Sequence, residues 1–422
     1  MIQTPFFTFD EDLVALANVA EETCRPIFFE LEEIRQYNTE KVLAAFAKNR
    51  ISAEHLTGST GYGYDDRGRD GLDRVFADTF GTEDALVRPH FASGTATLAT
   101  MLFGILRPGD RMVCATGTPY DTLLGTIGLS KEKGQGSLIE FGIQYEEVAL
   151  TEEGNMDVPA ILQAVKGAKV AYFQRSRGYS LRPSLRTELL EEVFAEIKKN
   201  SPETIIAVDN CYGEFMEIRE PTNVGADIMA GSLIKNPGGG IARTGGYIAG
   251  KQELIEKCAY RLTSPGVGRE VGASLNQNET LYLGFFLAPN VSIEALKTAV
   301  FSAALFELLG YKVTPRWNEP RADIIEAILL GSPEKLCAFC AGIQKGAPID
   351  SYVTPEPWAM PGYDDPVIMA AGAFHNGASI ELSADGPLRD PYAVWLQGGL
   401  TYPSGRTGIL LAAQSMKDAG VL

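Results

Sequence analysis

The sequence predicts an α/β fold in which a mostly parallel sheet is flanked by helices and is followed by a smaller C-terminal α+β domain. From about residue 84, short apolar segments alternate with helix-length segments, which is typical of a parallel sheet with helices on both faces. Near residue 290 this rhythm gives way to the long helical pattern SIEALKTAVFSAALFELLGY. A chain of 422 residues also exceeds what one small core usually supports, so two domains are expected.

The domain division follows from these patterns. Residues 1–50 are predicted to form an N-terminal helical arm, because apolar residues recur at helical spacing between residues 10 and 50. The next segment, TGSTGYGYDDRGRDG, is too rich in Gly, Asp and Tyr for a regular element, so a long loop is expected. The large domain then covers residues 51–290, and the smaller domain covers residues 291–422.

The strands of the large domain are predicted from apolar segments bounded by polar residues, with one helix starting at Gly94 and another after Tyr120. Ligands of parallel sheets bind beyond the carboxyl ends of the strands, so polar residues at these ends are the first candidates for a site. The predicted strands are DALVRPH, RMVCATG, KVAYFQ, TIIAVDN and ADIMAGSLI.

Composition and charge argue against several classes of protein. The formal net charge is -17, from 54 acidic and 37 basic residues, and no run of Lys and Arg forms a basic stripe, so no nucleic-acid partner is expected. The N-terminus shows no export signal and apolar runs fall short of the ~20 residues of a membrane helix, so a cytoplasmic location without membrane contact is expected. Six cysteines are too few for a disulfide scaffold. His55, His90 and His375 have no ligand spacing, so no metal site is expected.

The first two strand ends suit a planar, phosphorylated ligand. Ser93, Gly94 and Thr95 follow a strand and open a helix, and their N–H groups and hydroxyls are suited to a phosphate at the positive helix end. A plain turn is the alternative. Tyr120 follows the next strand in TPYD and is suited to stacking on a flat ring, with ordinary packing as the alternative.

Two later strand ends carry ionisable groups. Asp209 ends TIIAVDN, where its carboxylate is suited to hold a proton on a pyridine nitrogen; capping the following turn is the alternative. Lys235 follows ADIMAGSLI and precedes NPGGG. Partial burial is expected to lower the pKa of this amine and let it condense with an aldehyde, whereas a surface lysine is the alternative. Together these residues predict a site for pyridoxal 5'-phosphate (PLP).

A second phosphate-binding motif is set aside. Residues 245–251, GGYIAGK, match the spacing of a P-loop up to its lysine, but Gln252 replaces the required Ser or Thr. The segment is also predicted to be a strand, whereas a P-loop joins a strand to a helix.

Several segments resemble a known family. GADIMAGSLIKNPGGG resembles the lysine segment of fold-type I PLP-dependent enzymes, and its spacing from Gly225 to Lys235 is similar to that of the cystathionine/methionine lyase group. VDNCYGEF, SGTAT and TPYD resemble that group's aspartate, phosphate-binding and tyrosine segments. STGYGYDDRGRDGLD, FQRSRGYSLRPS and PGVGREVG are together similar to its aluminium resistance protein branch, whose members are described as cystathionine β-lyase-like or methionine γ-lyase-like. The resemblance covers about residues 55–250 and implies the PLP-dependent transferase fold.

The resemblance also implies roles for further residues. Ser232 matches a phosphate-binding serine, whereas Ile234 stands where the family carries a threonine. Tyr62 or Tyr64, with Arg67, matches the Tyr and Arg with which a neighbouring subunit reaches the cofactor phosphate; solvated loop residues are the alternative. A homodimer or homotetramer with shared active sites is therefore expected.

Three arginines complete the set of candidates. Arg177 lies where the lyases carry an Asn-Pro contact near the pyridine oxygen, and it is expected among the cofactor-binding residues. Arg406 and Arg389 are candidates for a bidentate bond to a substrate α-carboxylate. The sequence does not choose between them.

The predicted function is a carbon–sulfur lyase that acts on a sulfur-containing amino acid by β- or γ-elimination. Lys235 would move the α-proton, Asp209 would support the ring, and Tyr120 would stack on it and help to protonate the leaving thiolate. Two alternatives stay open: an amino-acid aminotransferase or decarboxylase with the same cofactor, and a cofactor-binding regulatory protein without catalysis. The departures at Ile234 and Arg177 favour the second of these.

Overall fold

The computed structural model describes residues 5–360 and 365–422, and its first element is one helix of 38 residues, α1 (Glu11–Lys48). The chain divides into two units, one made of Met1–Gln36 and Asn290–Leu422 and the other of Tyr37–Pro289. The sequence analysis predicted that residues 1–50 form a separate N-terminal helical arm. This division instead groups the first part of α1 with the C-terminal segment.

A seven-stranded sheet forms the centre of the Tyr37–Pro289 unit. Its strands are β1 (Asp84–Arg88), β2 (Arg111–Cys114), β3 (Gln144–Glu147), β4 (Val170–Gln174), β5 (Ile205–Asp209), β6 (Ile228–Ser232) and β7 (Gly246–Gly250). They lie in the order β1-β7-β6-β5-β4-β2-β3. The pairs from β6 through β3 are parallel, whereas β7 is antiparallel to both β1 and β6. The mostly parallel sheet predicted from the alternating pattern is thereby confirmed.

Helices cover this sheet on both faces, which explains why its central strands are apolar throughout. Successive residues of β4 pack into different clusters: Phe173 packs with Phe76 and Phe194, and Tyr172 packs in the cluster that contains Leu98. The helices of this unit are α2 (Arg67–Phe80), α3 (Gly94–Ile105), α4 (Asp121–Ile127), α5 (Val158–Ala164), α6 (Thr187–Asn200) and α7 (Gln252–Leu262).

The long loop predicted around residues 57–71 is shorter in the structure, because α2 begins at Arg67. Asp66 caps this helix by accepting a hydrogen bond from the backbone N–H of Arg69 at 2.9 Å. The side chain of Arg69 is buried and donates to the carbonyl oxygen of Gly63 at 2.7 Å. The Gly and Asp residues that indicated a loop in RGRDG are therefore the capped first turn of a helix.

The long helix α8 (Asn278–Leu308) starts earlier than the pattern at residue 292 predicted. The elements that follow it are β8 (Lys312–Thr314), β9 (Glu326–Leu329), α9 (Pro333–Lys345), β10 (Val367–Ala370), β11 (Ser383–Pro387), β12 (Ala393–Gln397) and α10 (Tyr402–Asp418). Their strands form an antiparallel sheet in the order β10-β11-β12-β9-β8, as an α+β segment requires. Over residues 5–360 and 365–422, no helix combines the length and apolarity needed to cross a membrane.

Candidate active site

The carboxyl ends of three neighbouring strands bring polar residues to one edge of the sheet. The parallel register sets Gln174, the last residue of β4, beside Asp209, the last residue of β5. Ser232 ends the next strand, β6, which is parallel to β5. Lys235 follows three residues later, at the start of a short 3-10 helix. The sequence-predicted residues of these strand ends therefore lie in one region.

The N-terminus of α3 faces Ser232 and forms the phosphate side of this region. Ser93 is the N-cap of α3, and its hydroxyl accepts a hydrogen bond from the N–H of Ala96 at 3.1 Å. A Cβ at Gly94 would lie 3.2 Å from the Cβ of Ser232, so strand and helix approach each other closely here. The Ser232 hydroxyl is buried and has no hydrogen-bond partner within the described residues. A buried hydroxyl without a partner beside an open helix N-terminus suits an anionic ligand.

Tyr120 and Thr95 lie on opposite sides of the gap between α3 and α4. The backbone N–H of Tyr120 donates to Gln174 Oε1 at 2.7 Å, which ties the start of α4 to the end of β4. Thr95 and Thr122 share a hydrogen bond of 2.7 Å between their hydroxyls. A Cβ at Gly178 would lie 3.0 Å from Tyr120 Cδ2, so the tyrosine ring packs on a backbone without a side chain.

Arg177 lies in the segment beyond β4 that packs on Tyr120. Its side chain is almost fully buried, at 2% exposure. The neighbouring Arg175 is also buried, and it forms ion pairs with Glu217 at 2.7 Å and Glu220 at 3.2 Å. Arg177 thus lies near the predicted stacking residue, while its role toward a cofactor stays a prediction.

Asp209 is a buried carboxyl group whose charge depends on its neighbours. Its Oδ1 accepts a hydrogen bond from the backbone N–H of Cys211 at 3.0 Å. Burial raises the pKa of Asp209 above its ordinary value, although the nearby Lys235 amine acts in the opposite direction. A buried acid of this kind is stabilised as an anion by a cationic partner. The protonated nitrogen of a pyridine ring is such a partner.

Lys235 has a charge environment that differs from the sequence-based expectation. Burial alone would lower the pKa of its amine, but the acidic groups of Cys211, Tyr212 and Asp209 raise this pKa above the ordinary value. The lowered pKa predicted from the sequence was therefore wrong for the chain without its ligand. The acidic groups of Asp209 and of the turn that follows it raise the pKa of Lys235 by more than burial lowers it.

The turn that follows Asp209 contributes residues that the sequence analysis missed. Tyr212 has a φ of 69°, and its ring lies under the Lys235 amine, with 4.0 Å between Nζ and the ring centroid. Glu214 is fully buried, accepts a hydrogen bond from the Tyr247 hydroxyl at 2.8 Å, and has its pKa raised to about 8 by burial. The only sequence signal for these two was their place directly after a strand that ends in Asp209.

The residues at this edge fit PLP on structural grounds. The α3 N-terminus and the partnerless Ser232 hydroxyl suit its phosphate, the buried Asp209 suits its ring nitrogen, and the Lys235 amine suits its aldehyde. Tyr120 lies at the start of α4 and is tied to the end of β4, and its contact with the ring stays a prediction. Each part of the ligand has a group of matching chemistry.

Three predicted residues lie apart from this cluster, on an exposed loop. Tyr62 and Tyr64 are 73% and 63% exposed, and their rings lie next to each other in a tilted arrangement with 5.6 Å between ring centroids. Arg67 forms an exposed ion pair with Glu54 at 2.9 Å. The structure thus displays these side chains on the surface of the unit and does not join them to Lys235.

The buried side chain of Asp66 anchors this loop. Its carboxylate accepts hydrogen bonds from the hydroxyls of Ser59 and Ser274, the latter at 2.5 Å, and from Asn278 Nδ2 at 3.1 Å. Burial alone would raise the pKa of Asp66, but these bonds and the one from the Arg69 N–H lower it to about 2.

The two arginines predicted to bind a substrate carboxylate belong to the other unit and have different surroundings. Arg406 lies in α10, and its Nε donates to Glu21 at 2.7 Å, while its Nη2 is buried without a hydrogen-bond partner within the described residues. Arg389 is 55% exposed and pairs with Asp365 at 3.2 Å.

Comparisons with known proteins identify relatives along almost the whole chain. The family model described as methionine gamma-lyase matches residues 13–417. The protein YnbB of Bacillus subtilis (strain 168) is 49% identical over 410 residues, which cover 97% of each chain. A solved structure of a carbon-sulfur lyase involved in aluminum resistance from Clostridium novyi NT is 48% identical, covers 96% of both chains and superposes with a TM-score of 0.93.

A more distant structure shares the fold alone. The pyridoxal-5'-phosphate dependent protein YhfS from Escherichia coli is 17% identical to this chain. The superposition covers 92% of this chain and 97% of YhfS, with a TM-score of 0.62.

Proposed function

Because the chain belongs to the methionine gamma-lyase family, we propose that it is a PLP-dependent carbon–sulfur lyase that acts on a sulfur-containing amino acid by β- or γ-elimination. The observation that carries the proposal is the placement of Lys235, Asp209 and Ser232 at one sheet edge, beside the N-terminus of α3. When bound, PLP supplies an aldehyde for the amine and an electron-withdrawing ring next to the α-carbon.

Different residues of the chain bind different parts of this cofactor. The N–H groups at the start of α3, with the hydroxyls of Ser93, Thr95 and Ser232, bind the phosphate. Asp209 keeps a proton on the ring nitrogen through a charge-assisted hydrogen bond. Tyr120 stacks on the ring and orients it.

Lys235 moves the protons of the reaction. Its Nζ takes the proton from the substrate α-carbon as the C–H bond breaks, and it then carries a positive charge on the ammonium. Tyr120 gives a proton to the leaving thiolate.

For the substrate α-carboxylate we choose Arg406 over Arg389. The guanidinium of Arg406 is mostly buried, and its Nη2 has no hydrogen-bond partner among residues 5–360 and 365–422, so it has a donor available in a place of low solvent exposure. Arg389 is exposed and paired with an exposed carboxylate, which weakens it as a specific anchor.

We further propose a homodimer or homotetramer in which Tyr62 or Tyr64, with Arg67, reaches the phosphate of a neighbouring subunit. The exposed tyrosine pair on a loop fixed by the buried Asp66 supports this assignment, because two adjacent exposed aromatic rings form an apolar patch that a neighbouring subunit can cover. A cytoplasmic location completes the proposal and agrees with six cysteines that are all unpaired.

The test combines cofactor binding with product analysis on the purified full-length protein. The visible absorption of bound PLP should disappear in Lys235→Ala and persist in Lys251→Ala, a surface lysine whose amine pairs with Asp227. Cystathionine, cysteine and methionine are then supplied separately. Elimination releases ammonia without a keto-acid acceptor, giving pyruvate for β-elimination and 2-oxobutyrate for γ-elimination.

Two results would refute this assignment. An absorption band that survives Lys235→Ala would remove the proposed attachment. Turnover that requires a keto-acid acceptor, or that releases carbon dioxide, would assign the chain to transamination or decarboxylation instead.

A further inference from the structure

We propose that Tyr212 is a positioning residue whose ring holds the Lys235 amine in place and stabilises its ammonium form during proton transfer. The inference rests on the proposed function for its kinetic consequence, although the contact itself is a property of the chain alone. The Nζ atom of Lys235 lies 4.0 Å from the centroid of the Tyr212 ring. At this distance an ammonium interacts favourably with the electron-rich face of an aromatic ring.

The backbone that presents this ring is in a conformation that tyrosine rarely adopts. Tyr212 has a φ of 69°, in the left-handed region, and Phe215 in the same turn has a φ of 65°. Residues other than glycine occupy this region at a cost in free energy, so the surrounding structure has to enforce it. Strain of this kind is common where a side chain is held for a functional purpose.

Buried side chains enforce the conformation by binding three consecutive carbonyl groups. Asn236 Nδ2 donates to the carbonyl oxygens of Tyr212 and Glu214, each at 3.0 Å. Arg175 Nη1 donates to the carbonyl oxygen of Gly213 at 2.7 Å. Asn236 is the residue directly after Lys235, so one short segment carries the amine and also fixes the ring beneath it.

The charges around Lys235 define what the ring adds. The titratable groups that act on its amine are Asp209 at the end of β5 and Cys211, Tyr212 and Glu214 in the following turn. Burial raises the pKa of Cys211 and that of Glu214, so both groups are mostly neutral near pH 7. Asp209 is engaged by the ring nitrogen in the proposed function. The ring face of Tyr212 stays in contact with the ammonium in this situation, because its attraction does not depend on the ionisation of a side chain.

This contact has a direct chemical role in the proposed reaction. When the C–H bond at the α-carbon breaks, its proton would form an N–H bond on Lys235 Nζ, and a bound PLP would supply the electron-withdrawing ring that stabilises the remaining electron pair. Nζ changes from a neutral amine to an ammonium in this step. A ring that interacts with the ammonium and much less with the amine lowers the barrier of that transfer.

The first measurement is nuclear magnetic resonance of the full-length chain without cofactor, with 13C at the lysine ε-carbons and Lys235→Ala as the assignment control. A ring beneath Nζ should shift the ε-protons of Lys235 upfield. The shift should persist in Tyr212→Phe, which keeps the ring, and disappear in Tyr212→Leu.

The second measurement is steady-state kinetics of the loaded enzyme on the best sulfur amino acid. In Tyr212→Leu, kcat should fall on the order of tenfold while KM stays within about twofold, since the ring acts after substrate has bound. Tyr212→Phe should stay close to the wild-type kcat. Asn236→Ala, which releases the carbonyl of Tyr212, should change the Lys235 resonance and kcat in the same direction as Tyr212→Leu.

The outcomes separate this inference from the proposed function. An upfield shift that is absent, or that survives Tyr212→Leu, overturns the contact. A normal kcat in Tyr212→Leu, or a Tyr212→Phe variant that behaves like Tyr212→Leu, overturns the role of the ring face. If the wild-type chain eliminates no sulfur amino acid, the proposed function fails, and the resonance results still decide whether the ring holds the amine.

Discussion

The loop that carries Tyr62 and Tyr64 should depend on the charge of one buried carboxylate. A pKa of about 2 for Asp66, against an ordinary value of 3.8, means that the folded loop favours the ionised carboxyl by roughly 60-fold. That preference corresponds to about 2.4 kcal/mol of stability. In Asp66→Asn an amide NH2 replaces one of the oxygens that accept hydrogen bonds, so we expect most of this stabilisation to be lost.

Hydrogen exchange of the native protein measures this loss locally. The backbone N–H of Gly272 donates to Tyr62 and that of Leu275 donates to Ser59, so both report on opening of the loop. In Asp66→Asn their exchange should accelerate by about 10- to 60-fold near neutral pH, while the amides of β5 keep their protection. The sign with pH also follows. Because the folded pKa is lowered, the contribution is complete above about pH 4 and is lost as the pH falls toward 2.

The neighbouring residue provides a matched control. Asp65 is exposed and has a φ of 54°, which Asn also tolerates well, so Asp65→Asn should leave the exchange of Gly272 and Leu275 unchanged. Equal protection in wild type and Asp66→Asn would refute the reasoning. So would an equal acceleration in both variants, because it would point to surface charge and not to the buried hydrogen bonds.

Three further substitutions test other parts of the structure. Burial raises the pKa of Glu214 to about 8, so its stabilising proton is fully held below about pH 4.5 and lost as the pH rises through 8. The drop in Tm from pH 5 to pH 8.5 should therefore be larger for the wild type than for Glu214→Gln. An equal drop in the two proteins would contradict this. Ser232→Ala removes a hydroxyl that has no hydrogen-bond partner among the described residues, so Tm should change little. The Kd for PLP, measured by equilibrium dialysis, should rise about tenfold. An unchanged Kd would exclude the hydroxyl from the phosphate site. Arg406→Lys should raise KM for the amino acid at least tenfold, because it alters a mostly buried bidentate donor. Arg389→Lys should raise KM less than twofold, because this arginine is exposed. A larger rise of KM in Arg389→Lys would assign the carboxylate to Arg389 instead.

The strand ends of the candidate site could be predicted from the sequence because their signals are local. An apolar segment followed by polar or glycine residues shows where a buried strand leaves the sheet, and Asp209 and Lys235 are both found this way, whereas Ser232 was assigned from the family resemblance. The parallel order of the strands then places these residues at one edge. No knowledge of distant contacts is needed for either step.

Other features depend on contacts that sequence spacing does not reveal. The left-handed conformation of Tyr212 is enforced by Asn236 and Arg175, which are distant in sequence, and tyrosine gives no signal for it. The raised pKa of Lys235 likewise depends on where Cys211 and Asp209 lie in space. The start of α2 was missed because Gly and Asp indicate a loop by composition, although Asp66 acts as a helix cap.

The glycine-rich segment that resembles a P-loop forms the antiparallel strand β7, and the packing of this strand explains one of its glycines. Gly246 pairs with Ser232 at the edge of the sheet, and a Cβ at Gly246 would overlap the Thr97 hydroxyl of α3. A larger residue there would push the start of α3 away from the strand and widen the space that the proposed function assigns to the phosphate. Gly246 therefore allows the start of α3 to pack closely on β7. We expect a relative with a larger residue at this position to bind its ligand in a wider site.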